Sequence, residues 1–313
     1  MSASLRIHAE DYLAVRRALG FKLTSFGTDL LGFIAFLEQR QEPVITTELA
    51  VAWARATPRS AGEVRVSRRM MIARCFARYM QVFEPATEVP APDILNHHYC
   101  RRSPHLYTPD EVAALLATTH CLRPQLRRDT YMTLISLLSV TGLRTSEVRR
   151  LDEDDVDLNE GLLLVKDSKF GKSRDVPLHE STVAALGDYV RTRDRLRAAT
   201  DTSAFLISGR GKRLSASDLN QTFRRLRERA GVGSATGTRN PRLHDFRHSF
   251  ATATLIDWYR NGEDVQAKLP LLSTYLGHAD PKSTYWYLTG SPELLELAAN
   301  RMPALTAGGE VDE

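Results

Sequence analysis

The sequence predicts a mainly α fold with a small β-sheet, divided between two domains. Three observations carry that expectation. Apolar residues recur at helical spacing through most of the first 84 residues and again beyond residue 215. A proline-punctuated segment separates the front helices from the rest. Two short runs, Gly161-Leu162-Leu163-Leu164-Val165 and Arg174-Asp175-Val176-Pro177-Leu178, have the length of strands and flank a turn. At 313 residues the chain suits two domains and can bury a core without covalent staples.

Residues 1–84 read as a four-helix domain. Leu5, Ala9, Tyr12, Leu13 and Val15 begin an amphipathic stretch that stops at Gly20. Leu30, Leu31, Ile34, Phe36 and Leu37 carry a second. Thr46 or Thr47 can cap a third, through Leu49, Ala50 and Trp53, because a hydroxyl accepts from an unpaired first-turn amide. In the fourth, from about Glu63 to Phe83, Val66, Met70, Ala73, Ala77 and Met80 fall at steps of four and three, which is one helix face. Residues 1–85 hold 12 Lys+Arg against 8 Asp+Glu, whereas the remainder holds 30 of each. The excess positive charge therefore lies in front, where it suits a polyanion. Arg65, Arg68, Arg69, Arg74 and Arg78 are the candidate phosphate contacts; the alternative is a solvated helix face.

Pro85, Pro90, Pro92, Pro104 and Pro109 punctuate the next segment, and 85–105 reads as an interdomain linker. His97, His98, Cys100 and His105 lie there without a second ligand cluster at zinc-type spacing, so no metal is expected. Cys75, Cys100 and Cys121 are odd in number and show no paired spacing, which points to a reducing compartment. The N-terminus lacks a signal-peptide core, and no apolar run approaches the roughly 18 residues that span a bilayer. The expectation is a cytoplasmic, nucleoid-associated protein with no membrane partner.

Residues 106–303 read as a mixed α/β domain. Thr108-Pro109-Asp110-Glu111 is a helix start, and helices follow to about Arg150. The turn between the two strands holds Lys169, Gly171 and Lys172, and Ala204-Phe205-Leu206-Ile207 is a candidate third strand. Beyond Ser215 the pattern is helical again, apart from a loop around 231–241, with a last helix near 292–302. Residues 304–313 form a small acidic tail.

Four segments of this domain carry side chains suited to chemistry on an anion. An apolar helix ends at Gly142; Arg144 comes directly after, with Glu147 three residues on, where a carboxylate can orient a guanidinium. His244 and Arg247 are three apart and share a helix face. Two such cations repel unless an anion lies between them, with Arg247 as a forked donor and His244 moving a proton. Gly277 is a candidate helix C-cap, which places His278 at a turn from which it can reach a cleft. Tyr285 and Tyr287 come next; two apart on a helix, they point roughly 200° from each other, so one of them can face a site. Each segment alone is also compatible with a surface ion pair, a structural histidine or a packed aromatic.

Taken in order, these segments resemble the tyrosine recombinase (phage integrase) family. That family has a Gly-Leu-Arg-x-x-Glu stretch, matched by Arg144 and Glu147, and a turn lysine ahead of an Arg-x-Val-Pro-Leu strand, matched by Lys169. Its His-x-x-Arg-His is matched by His244, Arg247 and His248, its Leu-Gly-His by His278, and its tyrosine nine residues later by Tyr287. The match spans about residues 106–300, and the front helices are similar to the family's core DNA-binding domain through less specific features.

The resemblance implies double-stranded DNA as substrate, cut and rejoined through a 3′-phosphotyrosine. It implies Arg144 and Arg247 on the scissile phosphate, and Lys169 protonating the leaving 5′-oxygen, with Lys172 its rival in the same turn. It implies His244 as base, His278 as a donor to a phosphate oxygen, Tyr287 as nucleophile, and Glu147 and His248 in support. No cofactor or metal is implied, since two arginines replace a cation. Four protomers would assemble on two duplexes, alone or with related recombinases. The overall pattern is that of transposon-associated and Xer-like integrases; the 31 residues from Arg247 to His278 exceed the interval in compact Xer-like members and, with Thr284-Tyr285-Trp286-Tyr287-Leu288-Thr289, make the chain more similar to transposon-associated integrases, hence to a mobile element. A type IB topoisomerase-like enzyme and a non-catalytic DNA-binding regulator are the other readings. The separate front domain and the complete residue set weigh against both.

Overall fold

The computed structural model describes residues 2–58, 62–96, 104–166, 173–197, 202–233, 240–278, 280, 282–289 and 291–301. The chain divides into two units, Met1–Arg102 and Ser103–Glu313. In the first, apolar periodicity becomes α1 (Ser2–Ala18), α2 (Thr24–Gln39), α3 (Thr47–Arg55) and α4 (Gly62–Met80). The chain turns after α1 at Gly20, where φ is 88°. The cap of α3 is Thr46, whose hydroxyl accepts from the Leu49 amide at 3.2 Å. Helix α4 buries Ile72 and Phe76 as well as Met70, Ala73, Ala77 and Met80. Its apolar face is wider than the single expected row because α1, α2 and α3 all pack against it. Each large side chain so buried contributes about 1.5–3 kcal/mol.

The proline segment behind α4 folds back on the first unit. Val89, Ile94 and Leu95 pack against its core. Arg74 donates to the carbonyls of Pro90, Ala91 and Ile94 at 2.9, 2.7 and 3.2 Å. A proline-rich stretch cannot satisfy its own carbonyls with a helical or ladder pattern, and one guanidinium fork serves three of them here. Residues 85–96 are therefore anchored chain, whereas the linker's His97, His98 and Cys100 lie outside the described residues.

The second unit begins with α5 (Pro109–Thr118), closed by a capping box in which Thr108 and Glu111 serve each other's backbone amides. It continues through α6 (Gln125–Thr141) and α7 (Thr145–Arg150). Next is an antiparallel sheet of order β1-β2-β3, from β1 (Val156–Asp157), β2 (Leu162–Val165) and β3 (Arg174–Pro177). Leu163 stands opposite Val156 on one side and Val176 on the other. Then come α8 (Glu180–Leu196), α9 (Ala216–Arg229), α10 (Asp245–Arg260), α11 (Val265–Leu276), α12 (Lys282–Tyr285) with a 3₁₀ turn over Trp286–Thr289, and α13 (Pro292–Ala299). This is the expected mainly helical fold with a small sheet.

The third strand is not where the sequence suggests. It is Val156–Asp157, while 204–207 makes only isolated bridges from Ala204 to Asp152 and from Ile207 to Arg213. Ala204, Phe205, Leu206 and Ile207 are all buried. Their backbone is served piecemeal, the Phe205 amide by the Leu151 carbonyl at 2.9 Å and the Ile207 amide by the Tyr189 hydroxyl at 3.3 Å. Burial without a partner strand explains an apolar run that is not a strand.

Helix α6 is the spine of the unit, with Leu134, Ile135, Leu137 and Leu138 buried and α5, α8 and α10 packed around it. A second cluster joins α10 and α11 to the C-terminal elements through Ala251, Leu255, Leu272, Leu276, Tyr287 and Leu294. Helix α13 is shorter than expected. It docks on α10 through Leu294 and leaves Leu295 exposed. Arg301 closes it by donating to the Glu263 and Tyr259 carbonyls at 2.6 and 2.7 Å. The acidic tail lies outside the described residues.

Candidate active site

The site is assembled at two glycine turns. Helix α6 ends at Gly142, with φ 60°, and a Cβ there would lie 2.5 Å from the Phe250 ring. The reversal sets Arg144 at the N-cap of α7. Glu147 accepts from the Arg144 amide at 2.9 Å and from its guanidinium at 2.6 Å. It thus caps its own helix and holds the arginine that precedes it.

A second arginine reaches the same carboxylate from the sheet. Arg174, the first residue of β3, donates to both Glu147 oxygens at 3.3 and 3.0 Å. The Glu147 side chain is only 1% exposed. Burial opposes its charge, but the Arg174 hydrogen bonds, the Arg144 amide and the two guanidinium charges outweigh burial and hold its pKa below the carboxylate range.

Helix α11 ends at Gly277, with φ 67°. Its last carbonyls lack intrahelical partners and carry the negative end of the helix dipole. Arginines take three in succession: Arg174 donates to Tyr275 at 2.7 Å, Arg247 to Leu276 at 2.6 Å and Arg144 to Gly277 at 2.8 Å. Arg247 also donates to the Gly142 carbonyl at 3.0 Å, which ties the two turns together. A Cβ on Gly277 would lie 2.7 Å from the Arg174 guanidinium, so this position must be glycine for the arginine to pass.

Arg247 is 2% exposed. Burial lowers its pKa to about 10, against the Tyr287 hydroxyl, which lies near enough to raise it, so it stays charged at neutral pH. His244 is the N-cap of α10, at the exposed edge of the site. Partial desolvation, then the Arg247 charge, push its pKa below the ordinary 6.5, which leaves it neutral at pH 7 and able to accept a proton. The start of α10 is braced from behind: Tyr107 stacks on Phe246 at 4.1 Å, and Asp245 accepts from the Arg242 amide at 2.8 Å.

Tyr287 is buried, while Tyr285 is 55% exposed, which settles which of the two faces inward. Its ring meets His248 edge-on at 5.4 Å and stacks against His278 at 5.8 Å. His248 in turn meets His244 at 5.2 Å. Nδ1 of His278 lies 2.7 Å from Oγ1 of Thr284, a buried residue one turn before Tyr287.

The structure therefore brings together Arg144, Glu147, His244, Arg247, His248, His278 and Tyr287. Lys169 and Lys172, which fall between β2 and β3 in the sequence, lie outside the described residues. Sequence reasoning missed Arg174, which it used only as part of a strand pattern, and Thr284. The local signal for Arg174 was its place at the head of the Arg-x-Val-Pro-Leu segment, Thr284 had none, and the partners of both are set by the tertiary fold. Of the candidate DNA contacts on α4, Arg74 is committed to the proline segment. Arg69 donates to the Ala56 carbonyl at 2.7 Å and lies over Trp53, and Arg68 pairs with Asp29 at 3.1 Å. Arg65 and Arg78 are exposed. His105 pairs with Glu111 at 2.9 Å. No helix among the described residues is long and apolar enough to cross a membrane.

The model of the phage integrase family matches residues 106–293. An integrase/recombinase relative, y4rB of Sinorhizobium fredii, is 42% identical over 306 residues, 96% of this chain and 97% of the relative. The tyrosine recombinase XerC of Alcanivorax borkumensis is 32% identical over 223 residues, 71% of this chain and 67% of XerC. The Tn1549 transposon integrase, solved in complex with transposon right end DNA, superposes with a TM-score of 0.64 at 17% identity, covering 96% of this chain and 99% of that one. The protein is a DNA strand-transferring enzyme of site-specific recombination. It belongs to the phage integrase family.

The Glu147 cluster has a consequence for stability. A carboxylate whose folded pKa is depressed stabilises the fold above its unfolded pKa, near 4.5 here, and loses that contribution as pH falls through the folded value. Glu147→Gln should lower the unfolding free energy by about 3 kcal/mol at pH 7, since it strips two half-buried arginines of a buried counter-ion. The difference from wild type should narrow steadily below pH 4.5, as followed by urea denaturation across pH. A gap constant with pH would show that the charge of Glu147 is not what matters.

Proposed function

We propose that this protein is the integrase of a mobile element and that Tyr287 is its nucleophile. The observation that carries the reading is the placement of Tyr287, a buried ring between His248 and His278 whose hydroxyl is near enough to Arg247 to act on its charge. A scissile phosphate seated on Arg144 and Arg247 would present its phosphorus to that hydroxyl. Tyr287 Oη forms a new bond to phosphorus and the bond to the 5′-oxygen breaks. His244, neutral at pH 7, takes the tyrosine proton. Lys169 is assigned the proton that the leaving oxygen needs, by its position ahead of the Arg-x-Val-Pro-Leu segment, which resembles the family's sequence pattern. The forked arginines oppose the charge that builds on the non-bridging oxygens. The phosphotyrosine ester conserves the bond energy, so a 5′-hydroxyl can reverse the step without a nucleotide cofactor.

Thr284 completes the arrangement. When its hydroxyl donates to Nδ1 of His278, the ring proton resides on Nε2, and that tautomer can donate to a phosphate oxygen. The first unit, with its net positive charge, is assigned to DNA through Arg65, Arg68 and Arg78, while Arg69 and Arg74 shape the surface from within. Exchange between two duplexes breaks four strands, and one tyrosine per protomer makes the working assembly a tetramer. The mobile-element role is supported by the likeness to y4rB and to the Tn1549 integrase, and by the long interval from Arg247 to His278.

Tyr287→Phe should bind DNA as wild type does yet form no covalent adduct on a nicked suicide duplex. Adduct at normal yield would move the nucleophile to Tyr285. Thr284→Val should slow adduct formation about 10-fold with unchanged DNA affinity, the worth of one oriented hydrogen bond. Thr284→Ser should restore the rate; equal losses in both would remove the hydroxyl from the mechanism. Wild-type adducts trapped on fragmented genomic DNA and sequenced should map to the ends of a repeated element, and enrichment at a single chromosomal site would point to dimer resolution instead.

A further inference from the structure

We propose that Arg174 is a positioning residue for strand transfer: it neutralises Glu147 so that Arg144 remains available to the phosphate. The proposal rests on the reading of Arg144 as a phosphate ligand. Glu147 is a single negative charge held between two guanidiniums. Arg174 meets both of its oxygens as a fork, at 3.3 and 3.0 Å, whereas the Arg144 guanidinium touches one oxygen, at 2.6 Å. Arg174 is also the deeper of the two, with its side chain 11% exposed against 22% for Arg144. The fork that satisfies the carboxylate thus comes from behind, and the arginine on the open side keeps donors for a ligand.

The alternative partition shows why this matters. A carboxylate 1% exposed cannot rely on water. Without Arg174, the guanidinium within reach is Arg144, whose own fork would turn onto both oxygens. Arg144 would then be spent on a closed ion pair and withdrawn from the cleft. The end of α11 enforces the same division. Arg174 takes the Tyr275 carbonyl and leaves the Gly277 carbonyl to Arg144, so each arginine has its own anchor. Gly277 has no Cβ at the point where the Arg174 guanidinium crosses, at 2.7 Å. With Arg174 assigned to Glu147, the charges of Arg144 and Arg247 remain for a phosphate that becomes doubly negative in the transition state.

The test measures the rate of covalent adduct formation by the full-length protein on nicked suicide duplexes with two scissile groups. One is the natural phosphodiester; the other is a methylphosphonate, in which a methyl group replaces a non-bridging oxygen and removes the negative charge. On the phosphodiester, Arg174→Gln should lower the rate about 10²-fold with DNA affinity unchanged. On the methylphosphonate its deficit should shrink to a few-fold. Adding Glu147→Gln to Arg174→Gln should recover about 10-fold on the phosphodiester, because a neutral amide no longer captures Arg144. Arg174→Lys, which keeps the charge but not the fork, is the second variant should Arg174→Gln melt below the assay temperature, and the same pattern is expected at smaller amplitude. A merely structural Arg174 would lower both substrates alike and show no recovery with Glu147→Gln, which overturns the proposal. Arg144→Ala separates the two ideas. If the neutral substrate rescues Arg144→Ala but not the Arg174 variants, the proposal alone fails. If it does not rescue Arg144→Ala, the phosphate-ligand reading fails first.

Discussion

The buried carboxylate of Glu147 is the constraint on which the second unit depends. One side chain closes the N-terminus of α7, orients Arg144 beside it, and receives Arg174 from β3. Through Arg174 it is linked to the end of α11. A helix start, a strand start and a helix end are thus held by one negative charge and the donors that neutralise it. Such a cluster is weak evidence for net stability, because desolvating the ions offsets much of their attraction. Its value is geometric: the carboxylate fixes where the three elements meet.

The same logic places the arginines. Guanidiniums close to one another repel, and three are gathered here. The unpaired carbonyls at the end of α11 offer each of them an acceptor and a favourable dipole. Arg247, the most deeply buried, is held between carbonyls from both turns. Glycine at 142 and 277 permits the reversals and leaves space for Phe250 and Arg174. The guanidiniums are therefore fixed by protein carbonyls; under the proposed function, donors held in this way stabilise charge on a phosphate without reorganisation. His244 is set apart from this group at the open edge, where its lowered pKa suits a proton acceptor.

The first unit shows how far composition alone can mislead at the level of residues. Its basic excess is real, yet the arginines of α4 are not equivalent. Arg74 has become part of the backbone scaffold of the proline segment, and Arg69 lies over Trp53. A charge count cannot distinguish an arginine that faces solvent from one that satisfies carbonyls. Carbonyls left over by proline are a demand that appears only once the chain has folded back.

Much of this protein was legible locally. The faces of α2 and α4, the caps at Thr46 and Thr108, the glycine stops at 142 and 277 and the order of the Arg144, His244–Arg247, His278 and Tyr287 segments all come from spacing and residue type. Those signals act over one or two helical turns, the range over which periodicity and capping have physical force. The tertiary structure alone decided that β1 rather than 204–207 completes the sheet, that Arg74 anchors the proline segment, that Thr284 meets His278, and that Arg174 shares Glu147 with Arg144. The contacts from Arg174 to Tyr275 and from Arg144 to Gly277 span 101 and 133 residues. What joins them is the competition of a few buried charges for a few unpaired carbonyls, and that competition does not exist until distant segments have been packed together.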